Sequence, residues 1–294
     1  MKTIAIEGYG APGELCRRGL PRPEPQADEL LIRVVIAGVS RFDATVRGGG
    51  GGPSFQVSFP WIPGFEVAGV VEQLGPDCRR FRIGERVWAL LPNGGGYGQF
   101  AAVRENCVAA LPASLLFEEA ATLPLDGLAS WRALFGGDRP VDGTSTVIVR
   151  GASTGAGHLA VQLALGAGAR VLVEAPADHR EFVNKLGLVE WLDGSESVQR
   201  EGDELEPGVL GIDASFRGVP GDERWFDLTG GAGSEQAALL RSEVSPESMG
   251  FLSRMVERRR LRPRLFKILN IAKAAESHQD VESSATCGKI ALSL

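Results

Sequence analysis

Over the first hundred residues, apolar and polar positions alternate in short runs separated by glycine or proline. Thr3–Glu7 alternates, and Glu29–Ala37 (ELLIRVVIA) is a β-rich run bounded by such punctuation. Glu66–Leu74 (EVAGVVEQL), Glu85–Leu91 (ERVWALL) and Gln99–Val103 follow the same grammar. Runs of this length and period, closed by turn residues, predict the strands of a compact β-barrel-like unit. Near Pro112 the period changes. Ser114–Thr122 and Leu128–Leu134 are predicted helical. Ser145–Arg150 (strand), Gly151–Gly157 (tight turn), His158–Leu165 (apolar-faced helix) and Arg170–Glu174 (strand) come next. That series opens a doubly wound nucleotide-binding domain. Val209–Asp213 and Arg224–Leu228 are further strand candidates. Ser245-Pro-Glu predicts a helix with serine as N-cap and proline at the first helical position. It extends to about Arg259 with Met249, Leu252 and Val256 on one face, and Gly288–Leu294 is a final strand.

Composition narrows the function classes. A chain of 294 residues holds about two domains at roughly 100–200 residues each. A net charge of -6 argues against a nucleic-acid partner, whose groove needs a basic surface. No apolar run approaches the roughly 20 residues of a membrane span, and the start MKTIAIEGYG lacks the apolar stretch of a signal peptide. A cytoplasmic protein is expected, with no membrane partner. Cys16, Cys78, Cys107 and Cys287 are scattered and form no Cys-x-x-Cys pair, so neither a zinc ribbon nor a redox pair is indicated.

Five segments in order carry a family resemblance. They are Pro63–Gly75 (PGFEVAGVVEQLG), Gly84-Glu-Arg-Val-Trp88, Gly95-Gly-Tyr-Gly-Gln-Phe100, Leu123–Leu134 (LPLDGLASWRAL), and Ser277-His278 with Cys287–Leu292 (CGKIAL). The chain resembles the medium-chain dehydrogenase/reductase superfamily, in its zinc-free quinone-oxidoreductase and enoyl-reductase branch. The resemblance implies an α/β architecture: a GroES-like β-barrel over residues 1–115, completed by about 262–294, plus a Rossmann-type doubly wound domain over 116–261. A nicotinamide and a small apolar substrate would share the cleft between them, and a homodimer is a common assembly in the family. Zinc-dependent relatives place a Cys ligand at the position of Ser40 and a His ligand at that of Phe65. Phenylalanine cannot bind a metal and a lone serine is a poor ligand, so no metal is expected.

The residues depart from that pattern at the places where a reductase works. The phosphate turn is Ala152-Ser-Thr-Gly-Ala-Gly157, in which Gly155 and Gly157 survive but Thr154 stands where a glycine lets the backbone approach a pyrophosphate. Thr154 is expected to crowd that site. Glu174, at the end of the second strand, suits a ribose 2′-hydroxyl and repels a 2′-phosphate, so it permits NADH and disfavours NADPH; a solvated strand-end acid is the plainer alternative. About ten residues separate Asp213 from the next strand, fewer than a parallel crossover needs, and they include Gly218, Pro220 and Gly221. The domain is therefore read as shortened.

On the substrate side the family's Asn-Pro-x-Asp-x-Tyr stretch corresponds to Ser40–Thr45, with Ser40 for Asn and Thr45 for Tyr, while Asp43 and Arg47 match. Ala129 replaces a threonine near the nicotinamide, beside Ser130. Asp126 is the most out-of-place charge in the cleft-entering segment. Ser40, Thr45, Arg47, Ser130 and Asp126 are thus candidate catalytic residues. Phe42, Phe55, Phe59, Trp61, Leu128 and Ala129 are candidate walls, and the glycine run Gly48–Gly52 is a candidate loop beside them. Ala152, Thr154, Gly155, Gly157 and Glu174 would hold a dinucleotide if one binds. His158, His278 and Tyr97 are read as packing groups. Arg258–Arg260 is read as complementing the end of its helix.

Three functions remain on these grounds. The first in preference is a cofactor-free enzyme that forms a ring in a polyketide-type chain, similar to the reductase-fold cyclases of tetronate polyether pathways. Near-attack positioning and a donor on a carbonyl are the chemistry it requires. The second is a zinc-independent NADH- or NADPH-dependent quinone or enoyl reductase. The third is a non-catalytic scaffold.

Overall fold

The computed structural model describes all residues except 53–54, 139, 193–208, 216–224, 231–232, 242–243 and 284–285. In chain order its elements begin with β1 (Lys2–Ala5), β2 (Cys16–Gly19), β3 (Glu29–Val39), α1 (Arg41–Arg47), β4 (Glu66–Leu74), β5 (Arg86–Leu90), β6 (Phe100–Arg104) and β7 (Val108–Ala110). Helices α2 (Phe117–Ala120) and α3 (Pro124–Phe135) follow. Next come β8 (Thr146–Arg150), α4 (Gly157–Gly166), β9 (Arg170–Glu174), α5 (Arg180–Asn184), β10 (Glu190–Trp191), β11 (Val209–Asp213) and β12 (Trp225–Asp227). The chain closes with α6 (Glu235–Arg241), α7 (Pro246–Glu257), β13 (Leu265–Asn270), α8 (Ala274–Glu282) and β14 (Lys289–Ser293).

Two sheets divide these strands. A seven-stranded sheet runs β13-β14-β3-β4-β5-β7, with β6 also pairing β3. The long strand β3 is its spine, because its buried pattern leaves both faces covered along most of its length. The C-terminal strand β14 pairs antiparallel with β3, from Ile290 opposite Val39 to Ser293 opposite Ile36. The end of the chain therefore lies beside residues from its first fifty. The second sheet is parallel, in the order β10-β9-β8-β11-β12.

That order is the first five strands of the doubly wound arrangement, which has six. Strand β12 pairs directly and in parallel with β11. The short connection expected from the sequence thus joins two adjacent strands, although residues 216–224 of it lie outside the described part. Among the described residues the sheet ends at β12, and α6 and α7 follow it with residues 242–245 between them.

Local signals explain most element ends. Two helices stand where Ser114–Thr122 and Leu128–Leu134 were expected, the first shorter and the second starting earlier, at Pro124, whose missing N–H suits the first helical position. Ser245 caps α7 by accepting from Ser248 N. The turn before α4 depends on glycine: a Cβ at Gly157 would lie 2.1 Å from the Gly151 carbonyl oxygen. Replacing Gly157 by alanine is expected to lower the unfolding free energy by about 1–3 kcal/mol, the usual cost of overpacking, measured by urea denaturation.

Candidate active site

A small cavity of about 40 Å³ lies where the glycine turn meets the barrel. Its walls come from both sheets: Ser40 and Arg41 at the start of α1, Asp126 on α3, Thr154–Ala156 of the turn, Gln236 on α6, and Gly288 with Lys289 on β14. The dominant charge is Lys289, which is 1% exposed. Its Nζ donates to Glu66 Oε1 at 2.8 Å and to Asp126 Oδ2 at 2.5 Å. Glu66 Oε2 accepts from Leu125 N at the start of α3, and Asp126 Oδ1 accepts from Gln236 Nε2 at 3.0 Å. Burial alone would lower Lys289, but the facing Asp126 and Glu66 outweigh it and hold the ammonium above its ordinary range. Burial pushes Glu66 up, to about 7; Lys289 opposes that rise and Asp126 adds to it. Two carboxylates facing one ammonium leave room for one further proton.

Asp126 is thus at the site, as expected, but as a partner of Lys289. Ser40 also lines the cavity, yet its hydroxyl is engaged: it donates to Asp43 Oδ2 at 2.6 Å while accepting from Asp43 N, a capping box that starts α1. It is not the substrate donor that the sequence suggested. Burial raises Asp43 to about 6, against the hydrogen bonds from Ser40 and Gly64. Thr45 and Arg47 do not line this cavity. Arg47 is buried and ion-paired to Glu282 on α8, so helix periodicity carries it away from the cleft. Ser130 is fully buried and points at the Ala156 carbonyl, 3.5 Å away.

The expected walls are mostly core. Phe42, Phe55 and Trp61 surround Phe65, with ring centroids 5.1, 5.4 and 5.8 Å from it. Phe59 packs on Tyr9 at the surface, and Leu128 and Ala129 are fully buried in the body of α3. The apolar pattern identified these side chains as inward-facing without distinguishing the cleft from the interior. Tyr97 and His278 are buried partners, 3.0 Å apart, and serve packing as expected.

The sequence reading missed Lys289, Glu66, Arg41 and Gln236. Lys289 and Glu66 sat inside quoted motifs, but nothing in their spacing brings positions 66, 126 and 289 together. Among the described residues no group of three or more His, Cys, Asp or Glu is placed to hold a metal, and no helix is long and apolar enough to cross a membrane.

The fold implies a nicotinamide dinucleotide, and the turn can be tested against one. Thr154 does not hold the turn open. Its hydroxyl donates to Gly151 O at 2.9 Å and accepts from Gly157 N at 3.1 Å, so it stitches the turn shut from within. Gly155 lines the cavity, and a Cβ there would come 2.9 Å from Lys289 Cδ and 3.3 Å from Asp126 Oδ2. Ala152 is buried below. The residues therefore fit the phosphate end of such a group, with Gly155 and Ala156 at the N-terminus of α4. Glu174, half-buried at the end of β9, fits a ribose hydroxyl. It also faces Arg150, at 3.8 Å across the strand pair.

These features define an α/β protein with a GroES-like domain and a Rossmann-like sheet. Residues 26–113 match the alcohol dehydrogenase GroES-like domain. Relatives that the chain matches in sequence are quinone oxidoreductases and their homologues. The chain is 34% identical over 200 residues to the chloroplastic quinone-oxidoreductase homolog of Spinacia oleracea, covering 66% of this chain and 61% of that protein. That alignment thus spans less than two thirds of the relative. With the quinone oxidoreductase of Rattus norvegicus it shares 27% over 325 residues, covering 100% and 98%. The solved quinone oxidoreductase of Coxiella burnetii superposes with a TM-score of 0.81 at 23% identity, over 100% of this chain and 99% of that one, which shows the shared fold.

His158 supplies a pH test of the turn. It is buried, its Nδ1 facing Thr154 O and its Nε2 accepting from Arg264 N. Burial lowers it from 6.5 to about 4. Between those values the unfolded chain binds a proton that the folded chain does not, so stability present above pH 6.5 is lost as pH falls toward 4. Replacing His158 by glutamine is expected to flatten the pH dependence of the unfolding free energy in that window by up to about 1.4 kcal/mol per pH unit, measured by urea titration at successive pH values.

Proposed function

We propose that the chain is a zinc-independent reductase of the quinone-oxidoreductase type, taking NADH and an apolar quinone or enone. The observation that carries this reading is the closed glycine turn set against the Lys289–Asp126 pair, with Glu174 at the adjoining strand end. A bound dinucleotide would supply the hydride. Gly155 and Ala156 would present backbone N–H groups to its phosphates, and Glu174 would accept from a ribose hydroxyl and repel a 2′-phosphate. Lys289 and Asp126 face the cavity, whereas Glu66 stands behind them. When the substrate oxygen gains negative charge, the Lys289 ammonium, kept charged by Asp126 and Glu66, would stabilise it through an N–H···O hydrogen bond and relay through Nζ the proton that Glu66, pushed up to about 7, can supply. The cavity is far below the roughly 300–1,000 Å³ of ordinary ligand sites, so its walls must part to admit a substrate.

One observation favours a second reading, cofactor-free ring formation in a polyketide-type chain. Glu174 is already opposite Arg150, and Asp213 and Asp227 end the next two strands, so this end of the sheet carries carboxylates that disfavour an anionic dinucleotide, although Asp213 is itself buried against Ser215. In that reading the cleft holds the reacting ends together and Lys289 acts on a carbonyl without a hydride step.

Calorimetric titration with NADH and NADPH separates the two. The reductase reading expects NADH to bind more tightly than NADPH, and Glu174→Ala to weaken NADH roughly tenfold while improving NADPH. Asp126→Asn should lower kcat for benzoquinone reduction by about 100-fold or more with little change in NADH affinity. Absence of binding by either dinucleotide overturns the reductase reading.

A further inference from the structure

A second and larger depression lies on the outer face of the parallel-sheet domain, apart from the cleft. It encloses about 1030 Å³ beside α4, between the 186–188 loop and the segment joining α7 to β13. Leu165, Leu186 and Leu261 contribute apolar surface, and Leu188 stands 91% exposed at its edge. Arg259, Arg260, Arg262 and Arg264 form the other side, and no acidic residue lines it. Arg262 is ion-paired to Glu119 at 2.8 Å. Arg258, Arg259, Arg260 and Arg264 have no ion partner among the described residues. A chain of net charge -6 thus concentrates uncompensated guanidinium groups against an apolar hollow.

The segment is fixed in place. Gln162 on α4 donates to Arg262 O at 3.0 Å and accepts from Arg262 N at 2.9 Å. Arg264 N donates to His158. The end of α7 is a Schellman motif, in which Arg259 N donates to Val256 O and Arg260 N to Met255 O, both at 2.8 Å. The residue in the left-handed position of that motif is Arg259, with φ 56°. Glycine is the residue that this position favours, and a side chain there carries a backbone cost. The helix would end more stably without the arginine, so helix termination does not account for its presence, and complementing the helix end requires only one of the adjacent cations.

We infer that this depression binds a phosphate-bearing amphiphile, with the phosphate held by Arg259, Arg260 and Arg264 and an apolar chain laid on Leu165, Leu186 and Leu188. Several guanidinium groups lining one depression match a dianionic head, to which arginine donates in pairs. The volume reaches the upper end of small-molecule sites.

The test uses octyl phosphate, octanol and inorganic phosphate, titrated calorimetrically into the full chain. Octyl phosphate is expected to bind roughly tenfold or more tightly than either fragment. Arg259→Gly is the informative variant. It should raise the thermal midpoint by about 2 °C while weakening octyl phosphate roughly tenfold, and Arg260→Gln should weaken it without raising the midpoint. Equal affinity for octyl and inorganic phosphate, or an Arg259→Gly variant that binds as the parent does, overturns the proposal. Cosedimentation with phosphatidylcholine vesicles containing phosphatidic acid identifies the source. Retention that is lost in Arg260→Gln places the head group in a bilayer, and octyl phosphate binding without retention places the ligand in solution; either result carries the site.

Discussion

The arrangement depends most on one buried ammonium. Lys289 lies on the last strand, Glu66 on β4 and Asp126 on the helix leading into the second sheet. Each charge buried alone would cost several kcal/mol, and their mutual attraction repays this only with good geometry and every remaining polar atom satisfied. Here both carboxylates also accept from Leu125 N and Gln236 Nε2. The constraint is therefore mutual. The C-terminal strand must sit in its register on β3, and α3 must start where it does, or the triad comes apart with a charge left unpaired. A hydrophobic filling of that space could tolerate a shifted register, whereas this network cannot.

The same network gives the cleft its chemical character. The cavity wall sets the hydrogen-bonded Lys289, Asp126 and Gln236 beside the apolar Val39, Leu228 and Val281, and the aromatic groups lie apart from it around Phe65. A ligand in this cavity therefore meets a buried charge pair and apolar side chains together. Gln236 brings one buried atom without a partner, Oε1, and an unsatisfied buried acceptor in a cavity wall is a place where a ligand donor gains more than it would at the surface.

Much of the fold was legible because its signals are local. Alternation gave β3, β4, β5 and β6 to within two residues at each end, and Ser245 with Pro246 marked the start of α7. The strand–turn–helix–strand series around Gly151–Gly157 matched β8, α4 and β9. Helix α1 was missed, although its capping box of Ser40 and Asp43 was in view, because the stretch was read for chemistry and not for capping. The site was legible where a motif marked it, as at Ser40, Thr154 and Gly155, or where a residue looked wrong for its surroundings, as Asp126 did. Lys289 and Glu66 gave no such sign, since each looks ordinary in its strand and becomes unusual only when 223 residues of chain fold one onto the other. Thr154 carries a role its type did not announce, because its hydroxyl supplies bonds within the turn.

The second sheet bears on how the cleft opens. Among the described residues β11 and β12 lie on one side of β8, with β9 and α4 on the other. The phosphate turn belongs to the side of β9 and α4. Leu228 and Gln236, which close the cavity, belong to the other side and are themselves buried. Gln236 also donates to Asp126 Oδ1, so parting the cavity on this side removes a hydrogen bond from the Lys289 network, and the cost of opening is tied to the same buried charges that hold the two sheets in register.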